Sequence, residues 1–351
     1  MRRAALLALL ALAARAAAAQ EPADRRGAVE EQALVERVVV DAHVVGRDGN
    51  PIPDLGPADF RVRVDGKEVT LESVDWLPAG RPEIDPSALP ESAFESGSLG
   101  ESEVAPGRLI VMFFQTSHEP SRLIGLIRMA FHARRFLGTL LPSDRVAVVS
   151  HDSHLKLRQD FTADRDRIVR AINACLRTGR EPEPDPDSHP SLARHFDRAA
   201  ARKASTAEEA FALLAQALEP IPGGKSLIYF GWGMGVVGGM NGPNLTERTA
   251  WEATLRSMEA ARVNIFSLDV TDADFHSLEV YLQQISDLTG GRYEKTNVFP
   301  ALAMEHVRQA IAGRYVLVFV KPPGAPRGTH AIEVDLVGRK GNVYARQYYE
   351  D

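Results

Sequence analysis

The sequence predicts an α/β protein built on a doubly wound, mostly parallel sheet, with a small antiparallel β module ahead of it and a β extension behind it. Three patterns carry that expectation. Apolar runs with strand character alternate with helical spacing across 108–321, as in sheets with helices on both faces. Val35 to Trp76 alternates with a period of two, and from Tyr315 onward the pattern turns back to β.

Taken in order, Val38, Val40, Ala42 and Val44 share one strand face, with Val39, Asp41, His43 and Val45 on the other; Asp48-Gly49-Asn50-Pro51 then signals a turn. Phe60 to Val64 alternates cleanly, and Asp65-Gly66 makes a hairpin into Val69, Leu71 and Val74. A module this small holds little core alone, so it should lean on its neighbour. Pro78 to Gly107, rich in Pro, Ser, Glu and Gly, reads as a linker, and Arg177 to Pro190 as an extended solvated loop. Arg108 to Phe114 is a continuous apolar run, the mark of a buried parallel strand. It is followed by a helix over Ser121 to Leu141, strands at Arg145 to Ser150 and His154 to Gln159, and helices at Asp164 to Leu176 and Thr206 to Leu218. Strands at Ser226 to Phe230 and Val263 to Leu268 alternate with helices at Thr246 to Ala261 and Phe275 to Thr289, the last stopped by Gly290-Gly291. A short strand at Arg292 to Lys295, a helix at Pro300 to Ala312 and strands at Tyr315 to Val320, His330 to Val337 and Val343 to Tyr349 complete the chain.

The first residues set an address. Arg2 and Arg3 precede an apolar run from Ala4 to Ala14, and Ala17-Ala18-Ala19 precedes Gln20. This reads as a signal peptide over 1–19, too short to span a bilayer, so the mature protein is expected to be exported, periplasmic or extracellular. Cleavage removes three arginines and no acid from a chain that carries a net charge of −6. An acidic chain lacks the footprint of a nucleic-acid binder. Its one cysteine, Cys175, excludes disulfide scaffolds and Cys-type zinc sites. The expected organisation is an Ig-like β module over 35–77, a linker over 78–107, the doubly wound domain over 108–321 and a β extension over 322–351 packed on the modules.

The order of parts resembles the VWFA-related family of exported bacterial proteins, in which a von Willebrand factor A domain, Rossmann-like in its winding, follows a small β module. The matching segments are Val38 to Val45 with Asp48 to Ile52, Asp59 to Val62 with Asp65-Gly66, Leu141 to Val149, Gln159 to Thr162, Pro222 to Ile228, Thr289 to Arg292 and Gly313 to Leu317. The resemblance implies a metal-ion-dependent adhesion site at the C-terminal edge of the sheet. There an Asp-x-Ser-x-Ser motif, an acid after the fourth strand and a loop Thr hold Mg²⁺, and a carboxylate from the partner completes its shell.

This chain departs from that pattern. Gln115 stands at the motif's Asp, Ser117 keeps the first Ser, Glu119 replaces the second, Trp232 stands at the later acid, and only Ser205 or Thr206 is placed to be the loop Thr. Loss of two carboxylates predicts a degenerate site, with no cofactor and no working Mg²⁺, for which Ser117, Glu119 and Asp269 are the remaining candidate ligands. Two placements are open for Trp232: an exposed contact patch with Met234 and Met240, or a cover over the metal pocket. Asp269, Asp272 and Asp274 follow a strand at the same edge and read as a displaced cation site or as a turn and N-cap for the next helix. The functional expectation is a non-enzymatic interaction protein that binds a protein partner through Ser117, His118, Glu119, Trp232 and Asp269. The alternatives are an exported metal-dependent hydrolase using the His151, His154 and Asp269 region, although no nucleophile elbow is present, and a structural envelope component.

Overall fold

The computed structural model describes residues 36–80, 107–177, 190–237, 243–244, 248–322 and 325–351. The stretch read as a signal peptide (1–19), nearly all of the segment read as a linker (78–107), the Pro-rich acidic stretch and Met240 lie outside the described residues. In chain order the strands are β1 (Arg37–Val45), β2 (Phe60–Val64), β3 (Lys67–Val69), β4 (Leu71–Pro78), β5 (Leu109–Gln115), β6 (Arg145–His151), β7 (Leu155–Thr162), β8 (Lys225–Gly231), β9 (Val236–Val237), β10 (Pro243–Asn244), β11 (Val263–Asp269), β12 (Tyr293–Lys295), β13 (Gly313–Val320), β14 (Thr329–Leu336), β15 (Asn342–Ala345) and β16 (Tyr348–Glu350). The helices are α1 (Pro120–Leu137), α2 (Arg165–Cys175), α3 (Arg198–Ala201), α4 (Ala207–Leu218), α5 (Arg248–Ala260), α6 (Glu279–Thr289) and α7 (Pro300–Ala310).

The predicted doubly wound sheet is present, with six strands in the order β12-β11-β8-β5-β6-β7. Every neighbouring pair is parallel except β6 with β7. The winding starts at β5 and proceeds outward through β6 and β7, then returns to β8 on the other side of β5. The order therefore reverses between β5 and β8, where open α/β sheets form their binding crevice. The central strands β5 and β8 are buried along their whole length, as strands covered on both faces must be. One face packs against α4, α5 and α6 around Phe113, Phe211 and Leu282. The other packs against α1, α2 and α7 around Phe114, Leu126 and Met304. Helix starts follow their local chemistry: Asp164 caps α2 through two backbone N–H groups, and Thr206 with Glu209 forms a reciprocal capping box on α4.

Apart from the β9–β10 pair, the β segments outside this sheet form one unit. Two sheets, β15-β1-β13-β4 and β16-β14-β2-β3, enclose a core of Val40, Phe60, Val62, Tyr315, Phe319 and Ile332. This corrects two sequence expectations. Gly313–Val320, expected in the doubly wound domain, pairs with β1 and β4, because Tyr315, Leu317 and Phe319 point into the sandwich core while Val316 and Val318 meet Val39 behind it. The tail after 321 is part of the sandwich itself, supplying three of its eight strands, with β14 paired to β2 and β15 to β1. A segment pair far apart in sequence thus supplies what the N-terminal strands lack.

The second face of β1 carries the contact with the doubly wound sheet. His43 hydrogen-bonds the Ala310 carbonyl at 2.8 Å and meets the Phe266 ring edge-on. Asp41 accepts from Arg262 at 2.8 Å and from Arg314 at 3.0 Å. Burial opposes its charge, but these two guanidiniums hold its carboxyl well below the usual carboxylate range. Arg262 directly precedes β11, and Gly224, which precedes β8, lies against Arg314. The sandwich therefore sits at the N-terminal edge of the sheet, and the site edge lies at the opposite end.

Candidate functional site

At the reversal point, β5 ends in Gln115, only 3% exposed. Its Oε1 accepts the Trp232 backbone N–H at 2.9 Å, and its Nε2 donates to the Gly233 carbonyl at 2.9 Å. One side-chain amide thus continues the β5–β8 ladder for another residue pair and ties down the loop that leaves β8. The loop needs Gly233 at that point: its φ is +135°, and a Cβ there would lie 2.4 Å from the Leu278 Cβ. An aspartate would be too short for this double bond and would have no donor for the carbonyl.

These residues do not fit the magnesium ion that the resemblance implies. The Gln115 oxygen faces an N–H, the position of the later acid holds an indole, and the remaining candidates are engaged elsewhere. Ser117 Oγ accepts from the Glu119 N–H at 3.2 Å. The Glu119 carboxylate turns to the first turn of α1, accepting from Ser121 at 2.9 Å and pairing with Arg122 at 2.9 Å. Thr206 Oγ accepts the Glu209 N–H at 3.2 Å, and the Glu209 carboxylate receives the N–H groups of Ser205 and Thr206. His118 is exposed.

Neither of the two placements open for Trp232 is reproduced in full. Its ring is half-buried against the core under α1, with the Arg122 guanidinium 3.8 Å from its centroid. Met234, expected beside it on a surface patch, is 1% exposed in the core on the opposite face. Ser117, Glu119 and Trp232 are therefore gathered around the start of α1, through Arg122 rather than through a metal.

Asp269 stands two strands away, at the end of β11. Its Oδ1 accepts from the Thr271 N–H at 3.0 Å and hydroxyl at 2.8 Å; its Oδ2 accepts from His276 Nε2 at 2.8 Å and the Tyr293 hydroxyl at 3.0 Å. It is not an N-cap: α6 begins at Glu279, with Leu278 preceding it and no side-chain cap. Glu279 is 4% exposed, accepts from Tyr293 at 3.3 Å and pairs with Lys295 at 2.9 Å. Burial, with the charges of Asp269 and Glu279 added, pushes the Tyr293 hydroxyl far above its ordinary range. Sequence reasoning found Asp269 and missed His276, Glu279, Tyr293 and Lys295. The signal was a histidine and a glutamate three residues apart, His276 and Glu279, just after a strand-end acid.

The residues of the hydrolase alternative are not brought together. His151 on β6 and Asp269 on β11 are three strand spacings apart in the sheet order, about 14 Å at the usual interstrand distance. His151 is buried with Nε2 3.2 Å from the Ala204 carbonyl, and burial lowers its pKa. His154 lies on the β6–β7 turn, 3.1 Å from Ser153 Oγ.

Strand order and crevice position together define a doubly wound α/β protein joined to a discontinuous β-sandwich. No protein-family model matches the chain, and no curated protein does. Among solved structures, similarity extends to a von Willebrand factor type A protein from Catenulispora acidiphila at 12% identity, covering 86% of this chain and 76% of that one, with a TM-score of 0.38. An aerotolerance-related membrane protein from Bacteroides fragilis is 13% identical over 58% of this chain and 98% of its own, with a TM-score of 0.38. The ArnB paralog VWA2 from Sulfolobus acidocaldarius is 10% identical over 82% and 75%, with a TM-score of 0.35. The fold description rests on the strand order and register of the chain itself. No helix among the described residues is long and apolar enough to cross a membrane.

Proposed function

We propose that this chain is an exported, non-enzymatic interaction protein of the von Willebrand factor A type, which engages a protein partner at the C-terminal edge of its six-stranded sheet without a bridging magnesium ion. The observation that carries the reading is a group of large apolar side chains left in solvent beside that edge. Phe275 after β11 is 71% exposed, Val298 and Phe299 after β12 are 61% and 65% exposed, and Leu302 and the α1 residues Ile124, Ile127 and Phe131 are each about half exposed. The segments that bear them are joined: Arg128 of α1 donates to the Asn297 carbonyl at 2.8 Å, and Asn297 donates to Asp274 at 3.3 Å. On α1 the three apolar residues follow i, i+3, i+7 spacing, opposite the face that packs on the sheet, so the helix is apolar on both sides. Large apolar side chains left exposed on neighbouring segments are the composition of interaction surfaces.

Ser117, His118 and Glu119, just before α1, would supply a polar rim to this surface, with Trp232 held beneath Arg122 beside them. Export rests on the Arg2 to Ala19 pattern. The test is recovery of a partner from the source cell envelope by the tagged chain, compared with a Phe275→Ser, Phe299→Ser, Ile127→Ser variant, each with and without EDTA. A protein retained by the wild type, lost with the triple variant and indifferent to EDTA supports the reading. Retention by both chains, or loss on EDTA treatment, overturns it.

A further inference from the structure

The end of β11 holds a second constellation that the interaction reading does not use. Asp269, His276 and Glu279 each direct one donor atom inward, and the three atoms lie within 4.8 Å of one another. Asp269 and Glu279 are 1% and 4% exposed, and His276 is partly buried above them. A rigid framework fixes two of the three, since Asp269 terminates a buried strand and Glu279 opens α6. The Tyr293 hydroxyl already bridges the two carboxylates.

The cation now facing Glu279 is Lys295, whose side chain is 33% exposed and also donates to the Asp274 carbonyl. A second, independent feature lies on the inner side of the same row. Gly231 is the register partner of Asp269, and the Tyr229 ring folds over it; a Cβ on Gly231 would stand 2.8 Å from the Tyr229 hydroxyl. That hydroxyl is wholly buried and has no hydrogen-bond partner, and neither has Oε1 of the buried Glu208. Both the Glu208 and Asp269 charges act on it. A buried hydroxyl and a buried carboxylate oxygen left unsatisfied are costly, and they leave polar groups unpartnered on the Asp269 side of β8.

We propose that Asp269, His276 and Glu279 bind one divalent transition-metal ion of the zinc or manganese class, with Lys295 as the cation it displaces. Two carboxylates and an imidazole match the donor preference of these ions better than that of magnesium, which favours an all-oxygen shell. On binding, His276 ligates through Nε2 as the neutral Nδ1–H tautomer, the proton that Nε2 shares with Asp269 passing to solvent or, by way of solvent, to Nδ1, and Lys295 leaves with its charge intact. This site is distinct from the crevice closed by Gln115 and does not depend on partner binding.

The experiment is a calorimetric titration of the chelator-stripped full chain with ZnCl₂ and with MnCl₂, alongside thermal melts, for the wild type and for His276→Ala, Glu279→Gln and Lys295→Met. The expected result is one saturable equivalent for at least one of the two ions, with a raised melting temperature and an affinity at least tenfold weaker in His276→Ala and Glu279→Gln. Lys295→Met should bind several-fold more tightly, because the competing charge is gone. A purely structural ion-pair network would lose stability in Lys295→Met with no gain in metal affinity. Absence of saturable binding for both ions, unchanged affinity in the ligand variants, or weaker binding in Lys295→Met would overturn the assignment. Folding of each variant is checked by circular dichroism, and Lys295→Met keeps the proposal exposed to test where a ligand variant fails to fold.

Discussion

Gln115→Ala is the sharpest probe of the closed crevice. The wild-type amide makes two hydrogen bonds of 2.9 Å, to the Trp232 N–H and the Gly233 carbonyl, from a side chain that is almost fully buried. Truncation leaves one backbone donor and one acceptor without partners, at roughly 1–3 kcal/mol each. Trp232 is half-exposed, so water reaches part of the opening, and the expected loss is about 2–4 kcal/mol. For a chain of this size that corresponds to a melting point lower by roughly 3–6 °C. Urea denaturation read by tryptophan fluorescence measures the loss, and amide exchange should show the Trp232 N–H newly unprotected. Gln115→Glu should recover only part of it, since a carboxylate still accepts from Trp232 but repels the Gly233 carbonyl. A loss below about 0.5 kcal/mol in Gln115→Ala would refute the idea that this amide secures the loop.

The contact between sandwich and sheet yields two further expectations. Asp41→Asn leaves Arg262 and Arg314 buried against a neutral group and should cost about 3–5 kcal/mol in urea unfolding; a loss under 1 kcal/mol would contradict the role given to that carboxylate. Glu259, which meets Arg346 and the Glu350 N–H, is raised by burial from 4.5 to about 7. The native state therefore holds a proton that the unfolded chain releases, so stability is full below about pH 4.5 and falls by about 3 kcal/mol as pH rises to 7. Glu259→Gln should remove that slope when urea midpoints at pH 5 and pH 8 are compared, and equal slopes in both chains would count against it. Gly125→Ala, which ordinarily favours a helix by about 1 kcal/mol, should destabilise the protein strongly, because its Cβ would fall 1.7 Å from the Val270 carbonyl oxygen; neutral melting behaviour would disprove the close approach of α1.

The doubly wound sheet was legible because its central strands are continuous apolar runs, and runs such as Leu109 to Phe114 or Leu227 to Phe230 leave little choice of environment. The partner of a strand is another matter. Gly313–Val320 is buried on both faces, and nothing in its own pattern distinguishes a sixth-helix-flanked sheet from a sandwich that must be completed by residues near 40 and 335. Asp41 and His43 could be placed from sequence only on the second face of their strand; what buries them, Arg262 and Phe266, lies more than two hundred positions away. At the site, the replacement of an acid by Gln115 was visible, whereas its bond across the crevice depends on the backbone of the loop after β8. Likewise Asp269 was visible as a strand-end acid, but its partners come from three separate segments, and the delayed start of α6 is what brings His276 over it.

The most direct test of the closed crevice is a calorimetric titration with MgCl₂ in the His276→Ala chain, where the neighbouring Asp269 cluster is silenced. The account predicts no saturable heat and an unchanged melting temperature up to millimolar Mg²⁺. One equivalent of bound Mg²⁺ with a raised melting temperature, both abolished by adding Ser117→Ala, would contradict it.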